Sequence, residues 1–308
     1  MIPITFKPLG TPGLAWGEAE RCAWRARLTP QRSHAAEVLA PVAALAADWE
    51  VLDYGQIVDP LAPEAPYPLK ALKSRDWNDA LPTVLVTGGV HGYETSGVQG
   101  ALLFLREHAQ AYAGRVNLLV APCVSPWAYA HIQRWNAHAV DPNRSFREPS
   151  PAAEAAQLMA LVAPLQGKIV LHIDLHETTD SDEGEFRPAL AARDGKAHEP
   201  GTIPDGFYLV GDSADPQLNF QRAIIEAVAK VTHIAPADAD GKIIGAEVVS
   251  PGVILYPCRP LGLCAGLTEA RLRTTTEVYP DSPRTTPAEC NRAQAVAVSA
   301  AIDFLLTA

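Results

Sequence analysis

Three short apolar runs constrain the fold of this 308-residue chain more than any other feature: PTVLVTGGV (82–90), RVNLLVAPCV (115–124) and KIVLHIDLH (168–176). They are rich in β-branched residues and too short for ordinary helices, so they read as buried strands. A sheet buried on both faces needs helices to cover it, and the chain supplies them in alternation. Residues 95–107, TSGVQGALLFLRE, read as a helix between the first two runs, and an alanine-rich helix over 151–166 precedes the third. GFYLVGD, PQLNFQRAIIEAVAKV, GVILY and RTTTEVY continue the pattern before a last amphipathic helix, PAECNRAQAVAVSAAIDFLL. Upstream, residues 33–49 read as a helix capped by Ser33 and kinked at Pro41. WEVLDYGQI then reads as a strand, and YPLKALKSR as a second one after a proline-rich stretch over 60–68. The expected architecture is an α/β sandwich on a mixed, largely parallel sheet. With no internal repeat or long low-complexity linker, we expect one domain over 1–308, the helix and strands of residues 1–80 packed onto it.

A hydrophobic content of 48% with 19% charged residues suits a chain with a sizeable core. The formal charge of −10 and the lack of a basic run argue against nucleic acid as a partner. The start, MIPITFKPLGTPG, lacks the pattern of a secretory signal, and no apolar stretch reaches the length that spans a bilayer, so a cytoplasmic protein without a membrane partner is expected. Five cysteines without C-x-x-C spacing predict free, mostly buried thiols. Nothing in the sequence sets an oligomeric state.

The segment GGVHGYE, 88–94, ends the first buried run. Its His91 and Glu94 are spaced so that an imidazole and a carboxylate converge on one ion where strand turns into helix, at the carboxyl end of the strands, where open α/β sheets bind ligands. Such a pair alone is weak, and a satisfied surface pair would look the same. HIDLHE, 172–177, adds His176 at the end of another buried run, with His172, Asp174 and His176 on one face of the strand. Two histidines and a glutamate would hold one Zn²⁺ with an open position, the donor set of a catalytic site. His172 then reads as a core or supporting residue, and Asp174 as a group that orients a ligand. In VDPNRSF, 140–146, Asn143 and Arg144 stand side by side, a guanidinium and an amide suited to holding a carboxylate.

In this order, His91, Glu94, Asn143, Arg144 and His176 resemble the motifs of the zinc carboxypeptidase family, which includes carboxypeptidase A and the succinylglutamate desuccinylase and aspartoacylase branch. The resemblance runs from about residue 81 to 306 and implies a three-layer α/β/α sandwich and zinc-dependent cleavage of a peptide or amide next to a carboxylate. It also implies a general base on a late strand in a T-x-E context. Glu277 in TTTEVY fits that context better than Glu269 in GLTEAR. The family's tyrosine, on a mobile loop over the substrate, would be Tyr256, 21 residues upstream of Glu277 but only 13 upstream of Glu269. That spacing makes LCAGLTEARL a short intervening helix. The oxyanion-stabilising arginine would be Arg134, although its interval to Asn143 is short for carboxypeptidase A.

The resemblance leaves the substrate open between a small peptide and an N-acyl amino acid, the latter cleaved by a deacylase of the aspartoacylase type. A metal-free module that binds carboxylates through Asn143 and Arg144 is the alternative from another class. A serine hydrolase lacks its G-x-S-x-G elbow, and a nucleotide site lacks both G-x-G-x-x-G and a Walker lysine. The acidic stretch TTDSDEGEF, 178–186, reads as a solvated loop or as a feature favouring a basic substrate.

Overall fold

The computed structural model describes residues 2–307. After α1 (Glu18–Arg25), a π-type turn (Ala35–Leu39) runs into α2 (Ala40–Ala44). There follow β1 (Trp49–Asp59), β2 (Ala62–Ser74), β3 (Thr83–Gly88), α3 (Thr95–Glu107), β4 (Asn117–Ala121), α4 (Pro126–His131) and α5 (Ala153–Val162). The second half comprises β5 (Ile169–Glu177), α6 (Arg187–Arg193), β6 (Tyr208–Asp212), α7 (Leu218–Val228), the small pair β7 (Lys242–Ile243) and β8 (Ala246–Glu247), β9 (Val253–Tyr256), β10 (Leu272–Val278) and α8 (Pro287–Thr307).

Eight strands form one mixed sheet in the order β1-β2-β4-β3-β5-β10-β6-β9. The middle of the sheet, β4-β3-β5-β10, is parallel throughout, while β1, β2 and β6 bring in antiparallel pairs. Strand periodicity sorts the side chains between two layers. Val84, Val86, Leu118, Val120, Leu171, Ile173 and Leu175 pack with α3, α7 and α8 on one face. On the other, Leu85, Leu119 and Ala121 meet Leu158 and Val162 of α5. Each such fully buried Val, Ile or Leu contributes roughly 1.5–3 kcal/mol. Because Leu171, Ile173 and Leu175 face α3 and α8, alternation turns His172, Asp174 and His176 the other way. The three-layer α/β/α sandwich expected from the sequence is the observed fold.

Several local expectations are corrected. The helix expected over 33–49 is a π-type turn and one short α-helix, with Pro41 in the first turn of α2. A proline there offers no N–H to the preceding turn, which widens instead of continuing as α-helix. β2 begins inside the proline-rich stretch, because its pairing with β4 is confined to Leu72 and Lys73, so its prolines lie where one edge of the strand is free. The intervening helix expected in LCAGLTEARL is only the 3₁₀ turn Cys264–Gly266. Gly266 lies so close to the backbone of Arg259 that a Cβ would come within 2.6 Å of its N, so the turn needs glycine there. All five cysteines are free, four of them buried and Cys22 exposed. Among the described residues no helix is long and apolar enough to cross a membrane.

Candidate metal centre

The turn from β3 into α3 carries the first two candidate ligands, and glycines allow its shape. Gly89 takes a positive φ of 61°. At Gly92 a Cβ would lie 2.0 Å from the α4 backbone at Ala128 and Tyr129, so no larger residue fits between His91 and Glu94 at that point. Arg32 binds the turn from outside, donating to Gly92 O, Tyr93 O and Thr95 Oγ1. Glu177, the last residue of β5, accepts from the Thr95 and Ser96 N–H groups at 3.0 and 2.7 Å. It caps the otherwise unsatisfied start of α3 and ties the His91–Glu94 turn to the strand that bears His176.

His91, Glu94 and His176 are all buried, and one potential ligand atom from each lies within 4.8 Å of the other two. Glu94 Oε1 is 2.7 Å from His91 Nδ1, and Glu94 Oε2 is 2.7 Å from His176 Nδ1. The second approach lacks hydrogen-bond geometry, which leaves Oε2 a buried oxygen with no hydrogen-bond partner. On the far side of each ring a carboxylate faces Nε2: Asp141 Oδ1 at 3.0 Å from His91, and Asp174 Oδ2 at 2.7 Å from His176. With Nε2–H donated outward to a carboxylate, each imidazole turns the Nδ1 lone pair inward, the arrangement that fixes metal-ligating histidines.

Burial opposes the charge on His176, but Asp174 and Glu94 on either side hold its imidazole well above the usual range. Burial would raise the Glu94 carboxyl, yet the two imidazoles hold it below its ordinary value. The cluster therefore demands positive charge at the point where its lone pairs meet. Two imidazoles and one carboxylate with an open position fit zinc, and suit it better than calcium or magnesium, which prefer oxygen ligands.

Above the triad opens a cavity of about 1150 Å³, lined by His91, Glu94, Arg134, Asn143, Arg144, Tyr256 and Glu277 among others. The geometry thus brings the residues expected from the sequence to one place. Glu277 is the in-register neighbour of His176 on the adjacent strand. Its Oε2 accepts from Thr178 Oγ1 at 2.9 Å, and since that hydroxyl's one proton is then used, Tyr208 OH donates to Thr178 Oγ1 at 2.7 Å. Burial, and next the charge of Glu94, push the Glu277 carboxyl up to about 8. Glu269 is elsewhere, its side chain 67% exposed and 3.8 Å from Arg259. Tyr256 ends strand β9 instead of sitting on a loop, in register with Asp212.

Arg144 donates to the backbone oxygen of Asn143 and pairs with no carboxylate among the described residues. The amide oxygen of Asn143 accepts from Cys264 N–H at 2.8 Å, so only its NH₂ remains for a ligand. Arg134 is clamped by Asp141 at 3.2 Å, Asp182 at 3.2 Å and Tyr93 OH at 3.3 Å. Its Nη2 is the part left to reach into the cavity. The acidic stretch 178–186 is not a solvated loop. Asp182 and Glu183 are buried and bind Arg134 and Arg187, and Glu185 accepts from Gln133. Sequence reasoning missed Asp141, Tyr93, Glu177, Thr178, Asp182 and Tyr208. Asp141, Tyr93 and Glu177 had a signal, because they stand inside motifs already singled out.

Comparison with known proteins finds relatives of the fold. Residues 80–199 match the family model of the succinylglutamate desuccinylase/aspartoacylase catalytic domain. A candidate metallopeptidase of Shewanella amazonensis SB2B superposes with a TM-score of 0.63 at 22% identity, over 88% of this chain and 91% of that one. The metallo-carboxypeptidase of Burkholderia cenocepacia gives 0.57 at 15% identity, over 88% and 69%. Carboxypeptidase A of Helicoverpa armigera gives 0.59 at 12%, over 91% and 74%. No curated relative matches the chain by sequence.

Proposed function

From the premise that the chain belongs with the zinc carboxypeptidase family in fold, and over residues 80–199 with its succinylglutamate desuccinylase/aspartoacylase branch in sequence, we propose that it is a zinc-dependent hydrolase. It cleaves a peptide or amide bond next to a carboxylate. One observation carries this reading: a buried His-Glu-His set whose imidazoles are backed by carboxylates meets, through His91 and Glu94, a cavity lined also by Glu277 and by Arg144, which pairs with no carboxylate among the described residues.

When bound to His91, Glu94 and His176, one zinc ion supplies Lewis acidity to the scissile carbonyl and to the attacking water. Glu277, held by Thr178, takes a proton from that water as its oxygen bonds to the carbonyl carbon. The same carboxyl returns the proton to the nitrogen as the carbon–nitrogen bond breaks, leaving an acid and an amine. Arg134 offers its free Nη2 to the oxygen that gains charge, its remaining nitrogens being fixed by Asp141, Asp182 and Tyr93. Tyr256 lines the same space.

Arg144, with the NH₂ of Asn143, anchors the substrate carboxylate. Arg144→Ala is expected to raise KM for a carboxylated substrate by roughly one to two orders of magnitude, since hydrogen bonds to charged groups contribute about 1.5–3 kcal/mol. Zinc content should stay unchanged. The check is to compare each substrate with its carboxamide: the wild type should lose affinity on amidation and the variant should not, and equal losses in both would remove Arg144 from this role.

The family match over 80–199 favours a second, closely related reading, a deacylase that releases an amino acid from an N-acyl compound. The cavity of about 1150 Å³ has room for a dipeptide or an N-acyl amino acid alike. Hydrolysis of dipeptides and of N-acyl amino acids by the zinc-loaded protein, assayed side by side, decides between them. A protein that holds no zinc and cleaves neither, yet binds carboxylates, would return the reading to a metal-free binding module.

A further inference from the structure

His172 is fully buried, 0% exposed, on the same strand face as His176, and the chemistry above gives it no task. Its surroundings do. Thr87, the partner of Asp174 across the β3–β5 pairing, carries one hydroxyl proton and faces three polar groups. Its Oγ1 lies 2.6 Å from Asp174 Oδ1, 3.1 Å from His172 Nε2 and 3.5 Å from Cys264 Sγ. An ionised carboxylate can only accept, and it is the shortest contact, so the Thr87 proton goes to Asp174. The Thr87 oxygen must then accept from His172, which places a proton on His172 Nε2. His172 Nδ1 is thereby a bare acceptor, and Thr268 Oγ1 faces it at 3.5 Å. Thr268 Oγ1 in turn accepts from Ala270 N–H at 3.4 Å. Beyond Asp174, the second oxygen accepts Nε2–H of His176 at 2.7 Å.

We infer that Thr87 and His172 are positioning residues of the metal centre: in a buried hydrogen-bond chain Thr268 donates to His172, His172 to Thr87 and Thr87 to Asp174, and Asp174, so fixed, accepts from His176 on its other oxygen and keeps the His176 Nδ1 lone pair turned to the ion. Every member is at most 1% exposed, so no bulk solvent competes for any link. If Thr87 lost its hydroxyl, Asp174 Oδ1 would lose its donor and the carboxylate would be free to rotate away from His176. The inference rests on the zinc reading of the triad, because the affinity it predicts is an affinity for that ion.

Zinc affinity of the full chain, titrated against a competing chelator, tests it in Thr87→Val and Thr87→Ser. Loss of an outer-shell partner costs about 10–100-fold in metal affinity, and that loss is expected for the valine variant, with the serine variant near wild type. Nitrogen-15 NMR of histidine-labelled wild type provides a second readout that needs no disruptive substitution. The His172 resonance, identified by its absence in His172→Gln, should report an Nε2–H tautomer with unprotonated Nδ1. Zinc binding by Thr87→Val equal to wild type, or an Nδ1–H tautomer at His172, overturns the chain while leaving the zinc reading standing. Wild type that takes up no zinc overturns both. Should Thr87→Val fail to fold, the tautomer alone decides.

Discussion

Glu277→Gln is expected to fold, hold zinc and bind substrate as the wild type does, and to turn over at least about a hundredfold more slowly, the usual scale for losing a general base. The amide keeps the length and the contact with Thr178, whose hydroxyl donates to Oε2 at 2.9 Å and can donate equally to an amide oxygen. What the amide cannot do is accept a proton from water and hand it on. Glu269→Gln should be close to wild type, because a side chain 67% exposed and only 3.8 Å from an exposed arginine has little to lose. The pair of variants, assayed for kcat and for zinc content together, separates chemistry from metal loss. A slow Glu269 variant beside an unimpaired Glu277 variant would reverse the assignment of the base.

The strands and the triad were legible in the sequence for one shared reason: both are local. β3, β4 and β5 are short β-branched runs, and His91, Glu94 and His176 sit at or just past the ends of two of them, so strand period and spacing bring them together. Asp174 was legible by alternation from His176. Asp141, two residues before Asn143, supports His91 across 50 residues of chain, and no periodicity links such a pair. Thr178 reaches Glu277 across 99 residues, and Asp182 reaches Arg134 across 48. Tyr93 stands inside the strongest motif, yet its role depends on Asp182 and Arg134, which only the folded chain brings near. The acidic stretch misled for the same reason, since a run of carboxylates looks solvated until the arginines that bury Asp182 and Glu183 are in place.

Loss of either ligand histidine should abolish stoichiometric zinc and turnover, but the two variants are expected to differ in stability. His176 stands between Glu94 and Asp174, each 2.7 Å away, and all three side chains are at most 1% exposed. In His176→Ala the two carboxylates lose the cation between them, and Asp174 keeps the neutral Thr87 hydroxyl but no cation. Removing one partner of a buried pair in this way costs about 3–5 kcal/mol. His91 is backed by Asp141, which also holds Arg134 at 3.2 Å, so in His91→Ala that carboxylate keeps a cation of its own. Glu94 likewise keeps His176. His91→Ala should therefore be clearly more stable than His176→Ala when both are metal-free and unfolded with denaturant. The wild type, stripped with a chelator, should lose activity, recover it on adding zinc, and unfold at a higher midpoint when zinc is restored, since an ion bound only by the native state stabilises it. Full activity in the chelated protein, or equal stability of the two alanine variants, would count against the charge balance described for this centre.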